Sequence, residues 1–214
     1  MVYGQDFDRA FERLIGHEGG FTEDPRDPGN WTGGRCGVGL CKGTKFGIAA
    51  NTYSDIDIPN LTLAQAREIY YRDWWLKIGA DRLGGPTAFQ VWDFAVNAGM
   101  GTAKRALQRA VGVADDGRIG EITLGAVSAM PQADLVRRFC AQRIRFYASL
   151  SKYDTYGRGW MNRVAGMLEY AAADLVAPSL LEHARAIRNC TSLKDGLSQT
   201  KPQFLRLAES MELQ

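Results

Sequence analysis

Residues 3–20 read YGQDFDRAFERLIGHEGG, and this stretch decides the fold class. Phe7, Phe11, Leu14 and Ile15 recur at the three-to-four-residue spacing that lines one side of a helix, with charged residues between them to face water. Gly16, Gly19 and Gly20 then interrupt the pattern, so the spacing predicts a first helix that ends at Glu18. A carboxylate there lies at the negative end of the helix dipole, which together with partial burial raises its pKa. The two glycines that follow leave open space beside it.

Outward from this corner, residues 22–45 run TEDPRDPGNWTGGRCGVGLCKGTK, dense in Gly, Pro and Asp. The composition predicts a long loop or a short irregular hairpin, and loops of this length inside compact domains tend to carry function. Thr62 followed by Gln65 is a capping-box pair that starts a helix with Ala66, Ile69, Tyr70 and Trp74 on its inward face, closed by Gly84, Gly85 and Pro86. Further helices are expected over 87–97, 102–111, 121–130, 134–150 and 160–176, with turns at Gly99, Asp116-Gly117 and Gly157 to Gly159. After Pro178, weaker helical stretches at 180–189 and 202–211 carry no recognisable chemistry. The expectation is a mainly α protein.

With 214 residues, 45% hydrophobic and 23% charged, the chain has the balance of a globular domain able to bury a core. The apolar run at 87–98 is broken by Gln90, Asp93 and Asn97 and is too short for a membrane span. The first residues lack the basic-then-apolar order of a secretory signal, so synthesis in the cytoplasm without a signal peptide is expected. Cys36, Cys41, Cys140 and Cys190 lack metal-ligand spacing and the two histidines, His17 and His183, stand far from any cysteine pair, which argues against zinc. Cys36 and Cys41 share one Gly-rich loop and either pair in an oxidising compartment or remain thiols.

The net charge of +2 is unevenly placed: residues 1–90 sum to −2 and the remainder to +4, and between Arg137 and Arg163 there are seven basic residues and one acid, Asp154. This reads either as a solvated helix face or as a cationic surface for an anionic polymer. Nucleic acid is the weakest candidate, because overall charge is near neutral and no recognition motif is present.

Cutting a glycosidic bond needs one carboxylic acid that stays protonated near neutral pH and a second carboxylate that steadies positive charge or activates water. Glu18 suits the first role. Asp27, nine residues on and ahead of Pro28, is the candidate for the second, with Glu23 and Asp24 in competition.

The strings His17-Glu18-Gly19-Gly20-Phe21, Asp24-Pro25-Arg26-Asp27-Pro28-Gly29 and Thr44-Lys45-Phe46-Gly47-Ile48, with Tyr53 beyond, closely resemble glycoside hydrolase family 108, which contains phage endolysins and secretion-linked bacterial muramidases. The resemblance implies a lysozyme-like helical fold in which Glu18 is the essential acid. It further implies that Asp27 matches the Asp of an Asp-x-Gly-Gly turn, whose second Gly is here Asn30, and that Thr44 matches a Thr that positions water beneath the sugar. About eleven residues, Trp31 to Cys41, are inserted relative to the short family pattern.

Residues 94–99, 107–113 and 116–123, and later Gly159-Trp160-Met161-Asn162-Arg163-Val164, resemble the helical peptidoglycan-binding region found after that motif. The resemblance thus implies a catalytic region at 1–86 and a peptidoglycan-binding region at 87–176, leaving an extension at 177–214. It implies cleavage between N-acetylmuramic acid and N-acetylglucosamine. Phe46, Tyr53 and Trp31 are candidate sugar contacts, and Asn97 either contacts substrate or caps its helix. No metal or organic cofactor is expected. The expected partners are peptidoglycan glycan strands and a holin or secretion route that releases a monomeric enzyme to the periplasm or wall, with no stable membrane insertion. A non-catalytic wall-binding module and a chitinase-like enzyme are the rival readings.

Overall fold

A computed structural model describes residues 3–15 and 20–190 of the chain, with side chains through Leu175. Glu18, with the expected end of the first helix, and the expected helix at 202–211 lie outside the described residues. Helix α1 spans Gln5–Ile15 and buries Phe7, Ala10, Phe11 and Leu14, the stripe its spacing predicts, while Ile15 is half-buried at its edge. Phe7 meets Trp75 and Trp92 edge-to-face, with ring centroids 5.4 and 5.8 Å apart. Such pairs add to the burial of the rings themselves, so the first helix is anchored by its aromatic face.

After the loop and a small antiparallel pair, β1 (Thr44–Lys45) and β2 (Ile48–Ala49), the chain enters α2 (Leu63–Ile69). Thr62 accepts from Gln65 N while the Gln65 side chain takes the Thr62 N–H, so the predicted capping box is formed. Past Ile69 the helix widens into a π turn over Tyr70–Trp75 before resuming as α3 (Leu76–Ile78). A π turn inserts one residue into the helical repeat and shifts every later side chain around the axis. Trp75 and Ile78, at 3% and 1% exposure, thus occupy the inward face. This corrects the expectation for Trp74, which is only partly buried and turns its indole Nε1 to donate to the Tyr53 hydroxyl at 3.3 Å.

Helix α4 (Gly85–Ala98) is the hub, touching α1, the π turn and the three helices α5 (Met100–Val111), α7 (Gln132–Ala148) and α8 (Tyr153–Cys190). Its residues from Thr87 to Ala95 are all buried, as required of a helix packed on every side. Short α6 (Glu121–Ala129) packs on α5. The mainly α, lysozyme-like expectation is met.

The turn expected at Gly157 to Gly159 is not formed, and neither does the helix end at Pro178: α8 runs unbroken from Tyr153 to Cys190. Glycine costs a helix interior about 1 kcal/mol, but a Cβ on Gly157 would lie 2.8 Å from the Tyr153 ring, so packing over the preceding turn wants the missing side chain. Arg13 of α1 reaches across to Asp174 of α8 at 2.6 Å and lies over the Tyr170 ring, tying the first helix to the last.

The surface read from residues 137–163 as cationic is narrowed to part of its seven basic side chains. Arg143 has no exposed surface and donates to Asp93 at 2.8 Å, and Arg163 donates to the same carboxylate at 2.6 Å. A charge cannot be buried without a partner, so the Asp93 that interrupts the apolar run of α4 predetermines where two of the seven cations must go. Arg137 is held by Asp134 at 2.7 Å, which leaves Arg138, Arg145, Lys152 and Arg158 as the exposed cations of that stretch without an ion pair among the described residues.

Candidate active site

The loop between α1 and α2 is organised around a buried polar side chain, Asn30, which has no exposed surface. Asp27 starts the local structure by accepting from Gly29 N at 2.8 Å, capping a one-turn 3-10 helix over Pro28–Asn30. Proline at the first helical position favours this turn because its φ is already set. Asn30 then ties both ends of its amide into the loop: Nδ2 donates to Asp24 O at 3.0 Å, and Oδ1 accepts from Thr44 Oγ1 at 2.7 Å. Its carbonyl accepts from Lys42 N and Gly43 N, at 2.9 and 3.1 Å. Buried polar groups must be paired, and here that demand fixes the loop's path.

Thr44 is held from a second side by a reciprocal backbone pair with Thr22, with N···O distances of 2.9 and 2.8 Å. Gly43 permits this approach: its φ is +80°, and a Cβ there would lie 2.4 Å from Thr22 O. Asp27 and Thr44, seventeen positions apart in sequence, are therefore tied to the same residue, and the hydroxyl of Thr44 has committed its one proton to Asn30. What remains on that oxygen is acceptor capacity.

Asp24 is bound differently. Its carboxylate accepts from the Arg26 guanidinium at two 2.9 Å contacts and from Arg26 N at 3.0 Å, and these bonds hold its pKa down at about 2. Among the described residues Asp27 has no such cation against it; its carboxylate accepts from Gly29 N and the residue is exposed.

The inserted segment forms a second small hairpin, with a bridge between Trp31 and Cys41 and a bond from Thr32 N to Leu40 O at 2.9 Å. Trp31 folds its indole back to donate to Pro25 O at 2.9 Å and stays half-buried against the Asp24–Asp27 turn. Cys36 and Cys41 are both thiols in this hairpin. Val38 and Leu40 stand exposed on it.

Phe46 and Gly47 form the two-residue turn between β1 and β2, with φ of 52° and 75°. Positive φ is costly for a bulky side chain, and hairpin turns of this shape normally place Asn or Gly there. Phe46 is kept in place by Tyr70, whose hydroxyl donates to Phe46 O at 3.1 Å, and by the Lys45 ammonium 5.6 Å from its ring centroid. Tyr53 is half-buried; burial raises the pKa of its phenol, which accepts a hydrogen bond from the Trp74 indole N–H.

The structure thus gathers Asp27, Trp31 and Thr44 in one bonded loop and joins Phe46 and Tyr53 to it through the π turn. Asn97 belongs to a different element. It lies exposed in the last turn of α4, where its Nδ2 donates to Asp93 O at 2.7 Å, the bond of a helix-terminal amide. Asn30 was missed as a site residue; the signal was its place where the family pattern has glycine, since a replacement by a polar residue inside a tight loop has bonds to make. Among the described residues no three His, Cys, Asp or Glu side chains converge as metal ligands.

Residues 11–99 match the family described as glycosyl hydrolase 108, and residues 102–165 match the one described as predicted peptidoglycan domain. Among solved structures the chain is similar to that titled "Structure of Brucella abortus SagA", at 30% identity and a TM-score of 0.67, covering 79% of this chain and 95% of that one. No curated protein matches. The loop built on Asn30 lies wholly within the first match and the cationic residues of α7 within the second.

Proposed function

The chain belongs to glycosyl hydrolase family 108, and from that premise we propose that it is an N-acetylmuramidase that cleaves the β-1,4 bond between N-acetylmuramic acid and N-acetylglucosamine in peptidoglycan. The observation that carries this reading is the double tether on Asn30, which sets a free carboxylate, Asp27, and an acceptor-only hydroxyl, Thr44, on one rigid loop. In this mechanism Glu18 donates its proton to the leaving glycosidic oxygen. Thr44, its own proton engaged, accepts a hydrogen bond from the attacking water and orients it, while Asp27 takes a proton from that water or steadies the oxocarbenium ion. Asp24, neutralised by Arg26, is left as a brace for the loop and not as the second carboxylate.

Phe46 and Trp31 offer ring faces against which sugars stack, with Tyr53 supporting the first of these. The peptidoglycan-binding match at 102–165 supports the same polymer as substrate. The enzyme acts as a phage or prophage endolysin, reaching the periplasm or wall through a holin or a secretion route.

The test incubates the protein and its Glu18→Gln variant with Gram-negative sacculi, followed by borohydride reduction and mass spectrometry of the released fragments. Fragments with reduced muramic acid ends from the wild type alone support both the bond specificity and the acid. Reduced N-acetylglucosamine ends would replace muramidase by a glucosaminidase-type cut. Binding without cutting would make the protein a wall-binding module, and equal cutting by both would remove Glu18 from the acid role.

A further inference from the structure

On the face that α5 and α7 present together, Arg109, Arg138 and Arg145 line a groove of about 240 Å³ whose lining also includes Ala110, Ala141 and Gln142. Arg138, Ala141, Gln142 and Arg145 recur at helical spacing, so they share one stripe of α7, with the two arginines about 10 Å apart along the axis. Arg109 faces them from α5 and is half-engaged, its guanidinium bonded to Asp115 at 2.6 Å. Arg138 and Arg145 have no ion-pair partner among the described residues, whereas Arg137 and Arg143 on the same helix each have one. The small side chains Ala110 and Ala141 keep the space between the guanidinium groups open.

We infer that this groove is a carboxylate-binding site for the peptide stems of peptidoglycan, separate from the loop that carries Asp27 and Thr44. The inference rests on the peptidoglycan reading above and specifies which part of the polymer this region takes. Stem peptides carry free carboxylates at intervals along their length, whereas in the intact wall the lactyl carboxyl of each stem-bearing muramic acid is taken up in the amide that joins it to the peptide. Guanidinium groups bind carboxylates through two parallel N–H bonds, and two unpaired arginines a few residues apart accommodate two carboxylates of one stem, or those of neighbouring stems. Gln142 between them has an amide that suits the peptide bonds of such a stem. Binding here would hold the enzyme on intact wall and add affinity that the sugar cleft does not supply.

The experiment compares binding of the full chain to intact sacculi and to sacculi whose free carboxylates have been capped as neutral amides by carbodiimide coupling to methylamine. Wild type, Arg138→Gln/Arg145→Gln and Lys152→Gln/Arg158→Gln are used, the last removing the same charge outside the groove. The wild type is expected to prefer intact sacculi by about tenfold at low salt, with the preference fading as salt is raised. The Arg138/Arg145 variant loses that preference while still binding the capped sacculi like the wild type, and the Lys152/Arg158 variant keeps it. All three proteins should melt alike, since every altered side chain is exposed. Equal preference in the Arg138/Arg145 variant, or equal loss in both variants, overturns the groove as the site. Competition by vesicles of anionic lipid but not by soluble stem peptide would reassign it to a membrane surface. If the groove variant loses binding and no protein cuts sacculi, the hydrolase reading fails and the stem site stands.

Discussion

Asp93 of α4 and Arg143 of α7 form an ion pair at 2.8 Å with 2% and 0% of their side chains exposed, and Arg163 of α8 closes on the other carboxylate oxygen at 2.6 Å. The arrangement is asymmetric. Asp93 has two cations, whereas Arg143 has one anion, a position 4.9 Å from the Phe94 ring centroid, and no protein partner for Nε and Nη1 among the described residues. Removing the anion strands a fully buried guanidinium, while removing Arg143 leaves Asp93 still paired.

Asp93→Ala is accordingly expected to cost about 3–5 kcal/mol, the usual penalty for an uncompensated buried charge. Arg143→Met, of similar length and without the unsatisfied nitrogens, should cost less than about half of that. Urea unfolding followed by circular dichroism measures both; a larger loss for Arg143→Met would show that the pair stabilises mainly through the cation and its ring contact.

Thr44 and Asn30 make the second prediction. Thr44→Val keeps the shape of the side chain but leaves the buried Asn30 Oδ1 without a donor, at a cost of about 1–3 kcal/mol. Thr44→Ser retains the hydroxyl and should fold and cleave sacculi at close to the wild-type level. If Thr44→Val is as stable as the wild type yet inactive, the hydroxyl serves only the reaction and the loop is braced elsewhere; if it is stable and active, Thr44 has neither role.

Much of this architecture was legible in the sequence because local and tertiary forces agree there. The Phe7, Phe11, Leu14 stripe has one way to be buried, and the Thr62–Gln65 pair satisfies its own backbone whatever surrounds it. The reading failed where distant packing overrides local preference. Gly157 looks like a helix breaker until the Tyr153 ring is placed over it, and Trp74 looks inward until the π turn gives that place to Trp75. Arg143 looks like surface because nothing local shows that α7 will lay it against Asp93. In the site, the Asp27 turn and the Thr44 strand were separately visible, but their tether was not: a bond fourteen residues long, from Thr44 to Asn30, leaves no period in the sequence.

Acid should act on the loop through Asp24. Its pKa is held at about 2 in the folded protein against an ordinary 3.8, so the Asp24–Arg26 contact contributes fully above pH 3.8 and is lost as the pH falls through about 2. Titration of the Asp24 carboxyl carbon by NMR should show a midpoint well below 3, moving up toward 4 in Arg26→Gln. A wild-type midpoint near 4 would mean that the guanidinium does not hold this carboxylate in solution, and would return Asp24 to competition with Asp27.

Phe46 carries the last prediction, because it is the one non-glycine residue with positive φ among the described residues. Holding a large side chain in that conformation costs about 1–2 kcal/mol, which a purely structural turn would avoid by using Asn. Phe46→Asn relieves the strain and gives up a half-buried ring contact of comparable worth, so its melting midpoint is expected to equal or exceed that of the wild type. If the ring is retained for stacking on sugar, the same variant raises KM for glycan strands several-fold with little change in kcat, since it removes binding and not chemistry. A variant that melts well below the wild type and keeps its KM would place the Phe46 ring in the service of the fold, with the Tyr70 hydroxyl bond sustaining the strain for packing alone.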